Sequence, residues 1–169
     1  IEVLANEVKK YGTKVLLTYG GGSIKKNGIY DKVVKIFGEN DIEFWELGGI
    51  DPNPRIGSVR EGIKIIKENN IDFILAVGGG STIDCSKVIA AGHYYDGDPW
   101  DLVIKKANIT NALPIGTILT LAATGSEMDS AAVISNLETK QKLGIGHPSM
   151  APKFSILDPT YTFTLPKYQ

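Results

Sequence analysis

Disulfide chemistry has no footing in this sequence. Among 169 residues there is one cysteine, Cys85, and a lone thiol cannot close an internal bridge. An excess of one charge sign is also missing: 18 Lys and Arg stand against 19 Asp and Glu, a formal net charge of -1. No basic stripe is on offer to a phosphate polymer and no polybasic arm to an anionic membrane, so neither nucleic acid nor a membrane surface is an expected partner. Long hydrophobic runs are absent too. The most apolar stretches, residues 73–77 and 118–123, fall far short of the ~20 residues that cross a bilayer. Histidine is limited to His93 and His147, with no i,i+4 partner and no neighbouring cluster, so each is expected to be an ordinary loop or helix-end residue rather than a ligand. No Gly-x-Ser-x-Gly elbow presents a serine nucleophile. With no charged, apolar and small-residue leader, the expected compartment is a reducing cytoplasm.

What is present is a soluble-domain composition, 43% hydrophobic, enough for one core. Val3, Leu4, Val8 and Tyr11 fall at helical spacing over residues 2–11. Residues 14–19 form a β-branched and apolar strand that ends in Gly20, Gly21, Gly22 and Ser23. A helix over 29–37 with Val33, Val34 and Phe37 on one face, a strand over 42–47 and a loop carrying Pro52 and Pro54 follow. The two prolines forbid helix until Arg55. Ile56, Val59, Ile63 and Ile66 then mark a helix reaching Asn69. The strand at 73–77 runs through Gly78, Gly79, Gly80 and Ser81 into a helix with Ile83, Lys87, Val88 and Ala91. Strand–helix alternation every ~30 residues, with strands apolar on both faces, indicates an α/β fold: a mainly parallel sheet covered by helices. Residues 114–121, 131–136, 142–146 and 154–157 read as further strands, some antiparallel, continuing the same layer within one domain. The chain opens directly in a helical pattern and closes on Pro166, Lys167, Tyr168 and Gln169, the expected first turn of another helix, so it is expected to be a piece of a larger protein.

The residues able to carry chemistry concentrate in three loops. Gly78 to Ser81 lies between an apolar strand and a helix, where backbone amides and the helix N-terminus favour an anion. The bland alternative is a turn of glycines kept for close strand–helix packing. It matches neither the G-x-G-x-x-G nor the G-x-x-x-x-G-K-[ST] fingerprint. Asp84 and Lys87 on the helix that follows allow a solvated i,i+3 pair as readily as a functional one. The Gly20 to Ser23 loop is either a plain turn or a ribose-facing one. Thr120, Thr124, Gly125, Ser126 and Glu127 offer hydroxyls and a glycine amide to a phosphate or carboxamide, while Thr124 and Glu127 equally suit a capping box. Cys85, beside an apolar helical face, is expected to be a small core residue.

Val77-Gly-Gly-Gly-Ser-Thr-Ile-Asp-Cys-Ser-Lys87 resembles the G-G-G-S-x-x-D-x-x-K signature of the iron-containing (group III) alcohol dehydrogenases. Thr120-Leu-Ala-Ala-Thr-Gly-Ser-Glu127 resembles their T-T-A-G-T-G-S-E motif, with Leu121 and Ala123 in place of Thr and Gly. Residues 19–28 (Tyr-Gly-Gly-Gly-Ser-Ile-Lys-Lys-Asn-Gly), Pro52-Asn53-Pro54 and residues 157–166 are similar to the branch of NAD(P)H-dependent butanol dehydrogenases and aldehyde reductases.

The resemblance implies a Rossmann-like dinucleotide-binding domain over 1–169, with a metal-binding all-helical domain after it, and interconversion of primary alcohols and aldehydes by hydride transfer. It implies that Gly79, Gly80 and Ser81 hold the pyrophosphate, that Asp84 lies near the nicotinamide side and that Lys87 supports that loop. Asn53 would reach the adenine-side phosphates or ribose, Gly21, Gly22 and Ser23 would flank the adenosine ribose, and Thr120, Thr124 and Ser126 would line the cofactor. Asp129 and Ala131 would frame the nicotinamide half, and Lys142 would contact the nicotinamide ribose. A divalent Fe or Zn belongs to the whole enzyme, with no ligand, and no catalytic acid or base, among these residues; a homodimer is expected of the full-length form. The glycine loop, lacking an acid and followed by Lys25 and Lys26, favours NADP over NAD as cofactor. The rival readings are a glycerol dehydrogenase or dehydroquinate synthase relative, and a non-catalytic nucleotide-binding module.

Overall fold

The computed structural model describes residues 1–163; the turn expected at Pro166 to Gln169 lies outside them. Five strands form one parallel sheet: β1 (Lys14–Tyr19), β2 (Glu43–Leu47), β3 (Phe73–Gly78), β4 (Ile115–Leu119) and β7 (Phe154–Ile156), in the order β2-β1-β3-β4-β7. The central strands β1, β3 and β4 are covered on both faces, as their unbroken apolar runs require, whereas β2 and β7 are partly open edges. Successive side chains on a strand leave opposite faces. Val15, Leu17, Phe73, Leu75 and Val77 therefore join one core with α1 (Leu4–Lys9) and α3 (Ile29–Gly38), while Leu16, Ile74 and Ile115 join another with α4 (Ile56–Asn69) and α5 (Gly80–Gly92).

Most elements lie where periodicity places them. The first helix is shorter than residues 2–11, and Val3 and Tyr11 beyond its ends are exposed. Two four-residue helices, α2 (Ser23–Lys26) and α6 (Trp100–Val103), are too short to show a period and were not foreseen. The larger correction concerns the second half. β5 (Ala131–Asn136) and β6 (Gln141–Gly146) do not continue the main layer but pair antiparallel as a separate ribbon. α5 is buried almost all round, so its side away from the sheet needs a cover. Ala132 and Ile134 of β5 join Val88 and Ile89 in the same core and supply it, while Ala131 and Val133 face outward. That alternation suits a strand buried on one face only, and it separates β5 from β1, β3 and β4.

Candidate functional site

From β1 the chain passes to β2 on one side, then crosses back over β1 to β3 on the other. In open parallel sheets such a reversal leaves a crevice at the carboxyl ends of the two strands where ligands bind, and the order 2-1-3-4-5 places it between the first and third. The two glycine loops, at Gly20–Gly22 and Gly78–Ser81, end those two strands. Three clefts join there into one groove. The first, about 230 Å³, runs past Gly20, Ser23, Gly79 and Thr120; the second, about 250 Å³, past Gly21, Pro52, Gly80 and Ser81; the third, about 200 Å³, past Asn53, Ser81, Asp84, Thr124 and Lys142. A larger depression of about 670 Å³ lies away from the strand ends, between Leu102–Ile109 and the β5–β6 ribbon, and gathers no carboxylate.

At the N-terminus of α5 the extended Gly79 accepts the first two backbone bonds through its carbonyl, from Thr82 at 3.1 Å and Ile83 at 3.2 Å. Gly80 and Ser81, whose amides have no intrahelical partner in the first turn of α5, line the groove at the positive end of the helix dipole, a ready anion site. The glycines also serve packing. A Cβ on Gly78 would stand 2.6 Å from Thr82 Oγ1, and one on Gly80 would stand 2.3 Å from Thr124 Oγ1. Close packing and free amides, two alternatives in the sequence, coexist here.

Asp84 and Lys87 are not a solvated pair. The Lys87 side chain is wholly buried, and its ammonium donates to Asp129 at 2.6 Å, the Ala131 carbonyl at 2.9 Å and Ser126 Oγ at 3.2 Å. Ser126 in turn donates to Asp84 at 2.5 Å, and the Val133 amide donates to the other Asp84 oxygen at 2.9 Å. Burial raises the Asp84 carboxyl above its ordinary range, outweighing the Ser126 hydroxyl, the Val133 amide and the Lys87 charge. Burial also opposes ionisation of Asp129, but there the Lys87 ammonium and the Ala131 amide prevail and hold it low.

On the opposite wall Lys142 donates to Asn53 Oδ1 at 2.5 Å, and the Asn53 amide donates to Ser81 Oγ at 3.2 Å. Asn53 holds a φ of 58°, a left-handed conformation that Asn tolerates better than most residues. The Pro-Asn-Pro loop thereby ties the α5 N-terminus to β6.

Gly21, Ser23, Asn53, Gly79, Gly80, Ser81, Asp84, Thr120, Thr124 and Lys142 all line the groove. Gly22, at φ 94°, caps α2 beside it. Ser126, Asp129 and Ala131 sit behind Asp84 as partners of Lys87. The residues directly after Thr124, 125–130, form turns rather than a helix, so the capping-box alternative falls; among the described residues the Thr124 Oγ1 accepts the Ser126 amide, at 3.3 Å. Missed from the sequence were Asn27, Leu121 and Tyr161 along the groove and a carboxylate near the first glycine loop, Glu46. Only its place at the end of a strand could have signalled Glu46.

No group of three or more His, Cys, Asp and Glu is placed to hold a metal among the described residues. Cys85 is buried, its thiol pushed up to about 12 by burial and by Asp84. His147 caps a short helix by accepting from the Ser149 amide at 3.3 Å.

Residues 1–159 match the model of the iron-containing alcohol dehydrogenase family. The chain is 65% identical over its whole length to NADH-dependent butanol dehydrogenase A of Clostridium acetobutylicum, of which it covers 43%. It is 43% identical over 162 residues to the NADPH-dependent aldehyde reductase YqhD of Escherichia coli, with 94% of this chain and 41% of that protein aligned. Among solved structures it resembles NADH-dependent butanol dehydrogenase A of Thermotoga maritima, with a TM-score of 0.95 and 47% identity over 99% of this chain and 42% of that one. The chain thus spans less than half the length of these relatives.

Proposed function

The chain belongs to the iron-containing alcohol dehydrogenase family, and from that premise we propose that residues 1–169 are the Rossmann-like cofactor-binding part of an NAD(P)H-dependent enzyme interconverting primary alcohols and aldehydes. The observation that carries this reading is the pair of amides, Gly80 and Ser81, at the head of α5 inside the β1–β3 crevice. They bind the pyrophosphate. The adenosine half lies toward Gly21, Gly22 and Ser23, and the nicotinamide half toward Asp84, Thr124 and Lys142. Asn53 orients Lys142, and Ser126, together with the buried Lys87 held by Asp129 and the Ala131 carbonyl, fixes Asp84 in place. Thr120 borders the groove between the halves. When bound, the nicotinamide supplies the hydride.

The described residues fit a dinucleotide, and the proposal assigns the ligands for Fe or Zn to a helical domain in the part of the relatives' length that this chain does not span. The Clostridium relative is named as NADH-dependent and the less similar Escherichia relative as NADPH-dependent, which weighs toward NADH here. No helix among the described residues is long and apolar enough to cross a membrane. A cytoplasmic setting and a homodimer complete the proposal, the latter read by sedimentation of the complete protein. The primary test is titration of the complete protein with NADH and NADPH by nicotinamide fluorescence, followed by turnover of butyraldehyde. Absence of binding by both cofactors overturns the reading; binding without turnover on any aldehyde leaves a non-catalytic nucleotide-binding module.

A further inference from the structure

One cluster of ionisable groups stands outside the site described. The Glu46 carboxylate, near the end of β2, accepts the Tyr19 hydroxyl on one oxygen and the Tyr30 hydroxyl on the other, each at 2.5 Å. Lys25, on α2, reaches the same carboxylate at 3.4 Å, with its ammonium 4.4 Å from the Tyr30 ring centre and 5.0 Å from that of Tyr19. The cluster abuts the groove. Tyr19 ends β1 and precedes Gly20, and α2 begins at Ser23, which lines the first cleft with Gly20 and Asn27. Lys25 is thus two residues from a groove-lining serine, yet its charge is engaged at the β2 side. Lys26, the other cation of α2, forms no ion pair among the described residues.

Resting on the dinucleotide reading above, we infer that Glu46 is a positioning residue for cofactor choice: by holding Lys25 against Tyr19 and Tyr30 it keeps that ammonium from the ribose 2′ position and disfavours a 2′-phosphate. Three anchors act on Lys25: one ion pair and two aromatic faces, whose ring quadrupoles attract a cation. The arrangement is self-consistent at neutral pH. Burial opposes the Glu46 charge, but the two tyrosine hydroxyls and Lys25 hold its carboxyl below the ordinary range, while burial and Glu46 keep Tyr19 protonated and donating. Freed from Glu46, a lysine on a four-carbon stem within a Debye length of ~8 Å adds attraction for a phosphate dianion that a 2′-hydroxyl does not feel.

The test uses the complete protein and reads dissociation constants for NADPH and NADH by fluorescence. Glu46→Gln is expected to tighten NADPH about threefold to fivefold, the scale of an exposed ion pair, with NADH unchanged. Adding Lys25→Met to Glu46→Gln is expected to cancel the gain. A gain that survives Lys25→Met overturns the inference, because it then comes from removing the Glu46 charge itself. An unchanged NADPH-to-NADH ratio in Glu46→Gln overturns it as well. If Glu46→Gln fails to fold, Tyr30→Phe, which removes one of the two hydroxyl anchors, is expected to shift the ratio the same way by a smaller factor, and no shift there overturns the inference. Failure of the unsubstituted protein to bind either cofactor removes the dinucleotide reading and this inference with it, whereas normal binding with an unmoved ratio removes this inference alone.

Discussion

Lys87 and Asp129 form a 2.6 Å ion pair of unequal burial, the ammonium side chain wholly enclosed and the carboxylate half exposed. Lys87→Met removes the cation and leaves Asp129 able to rehydrate. The expected loss is therefore about 1 to 3 kcal/mol, below the 3 to 5 kcal/mol for breaking a fully buried pair. The Asp129 carboxyl is held low in the folded state, so its contribution is present above the ordinary carboxylate range and fades as pH falls through the lowered value. Urea unfolding at neutral and acid pH checks both points: the gap between the two proteins narrows in acid, and a gap below about 0.5 kcal/mol at neutral pH contradicts the assignment.

Asp84 has the opposite sign. Its folded carboxyl is raised, so ionisation disfavours the fold above that value and the penalty disappears as the group protonates. Asp84→Asn keeps an acceptor for Val133 and is expected to be more stable than the parent at neutral pH, with the advantage shrinking as pH falls. Cofactor binding is expected to weaken in the same variant. Stability curves that run parallel across pH speak against a raised carboxyl.

Gly80→Ala would by helix propensity alone gain at most about 1 kcal/mol, the value of a helix interior, because Gly80 is the first residue of α5. The new Cβ, however, would stand 2.3 Å from Thr124 Oγ1, and the expected result is lower stability with cofactor affinity reduced at least tenfold as the loop shifts. The clash, rather than occupation of the phosphate's space, is the cause. Thr124→Ala in the same protein is expected to recover most of both losses. No recovery of the melting temperature rejects Thr124 as the obstacle.

An acid in the first glycine loop tests whether that loop meets the ribose. Gly22 holds φ 94°, which strains any side chain, whereas Gly21 has no such φ and open space around its Cβ position. Gly21→Asp is expected to lower kcat/KM with NADPH about tenfold or more beyond any loss with NADH, by charge repulsion. Equal losses with both cofactors place the 2′ group elsewhere.

Metal content provides the last check. His147 is occupied as a helix cap and Cys85 is a buried thiol. In the complete protein, His147→Ala and Cys85→Ala are each expected to retain the full metal complement after dialysis, measured by atomic emission. Loss of stoichiometric metal in either variant returns a ligand to this segment.

The local sequence carried the parallel sheet and the groove's glycines by itself. Unbroken apolar runs at β1 and β3 require cover on both faces, and a glycine run after each marks where the chain turns at the strand's carboxyl end. These are short-range signals, complete within ten residues. The tertiary structure alone decided where the β5–β6 ribbon lies, because a one-faced strand is compatible with a sheet edge or with a separate layer until the exposed flank of α5 is known. It alone decided the state of Lys87, which meets Asp129 from 42 positions away. And it brought Glu46 to Tyr19 and Tyr30 from 27 and 16 positions away. Charge in the sequence names a group; its burial and partners follow only when distant segments close on it and remove the water.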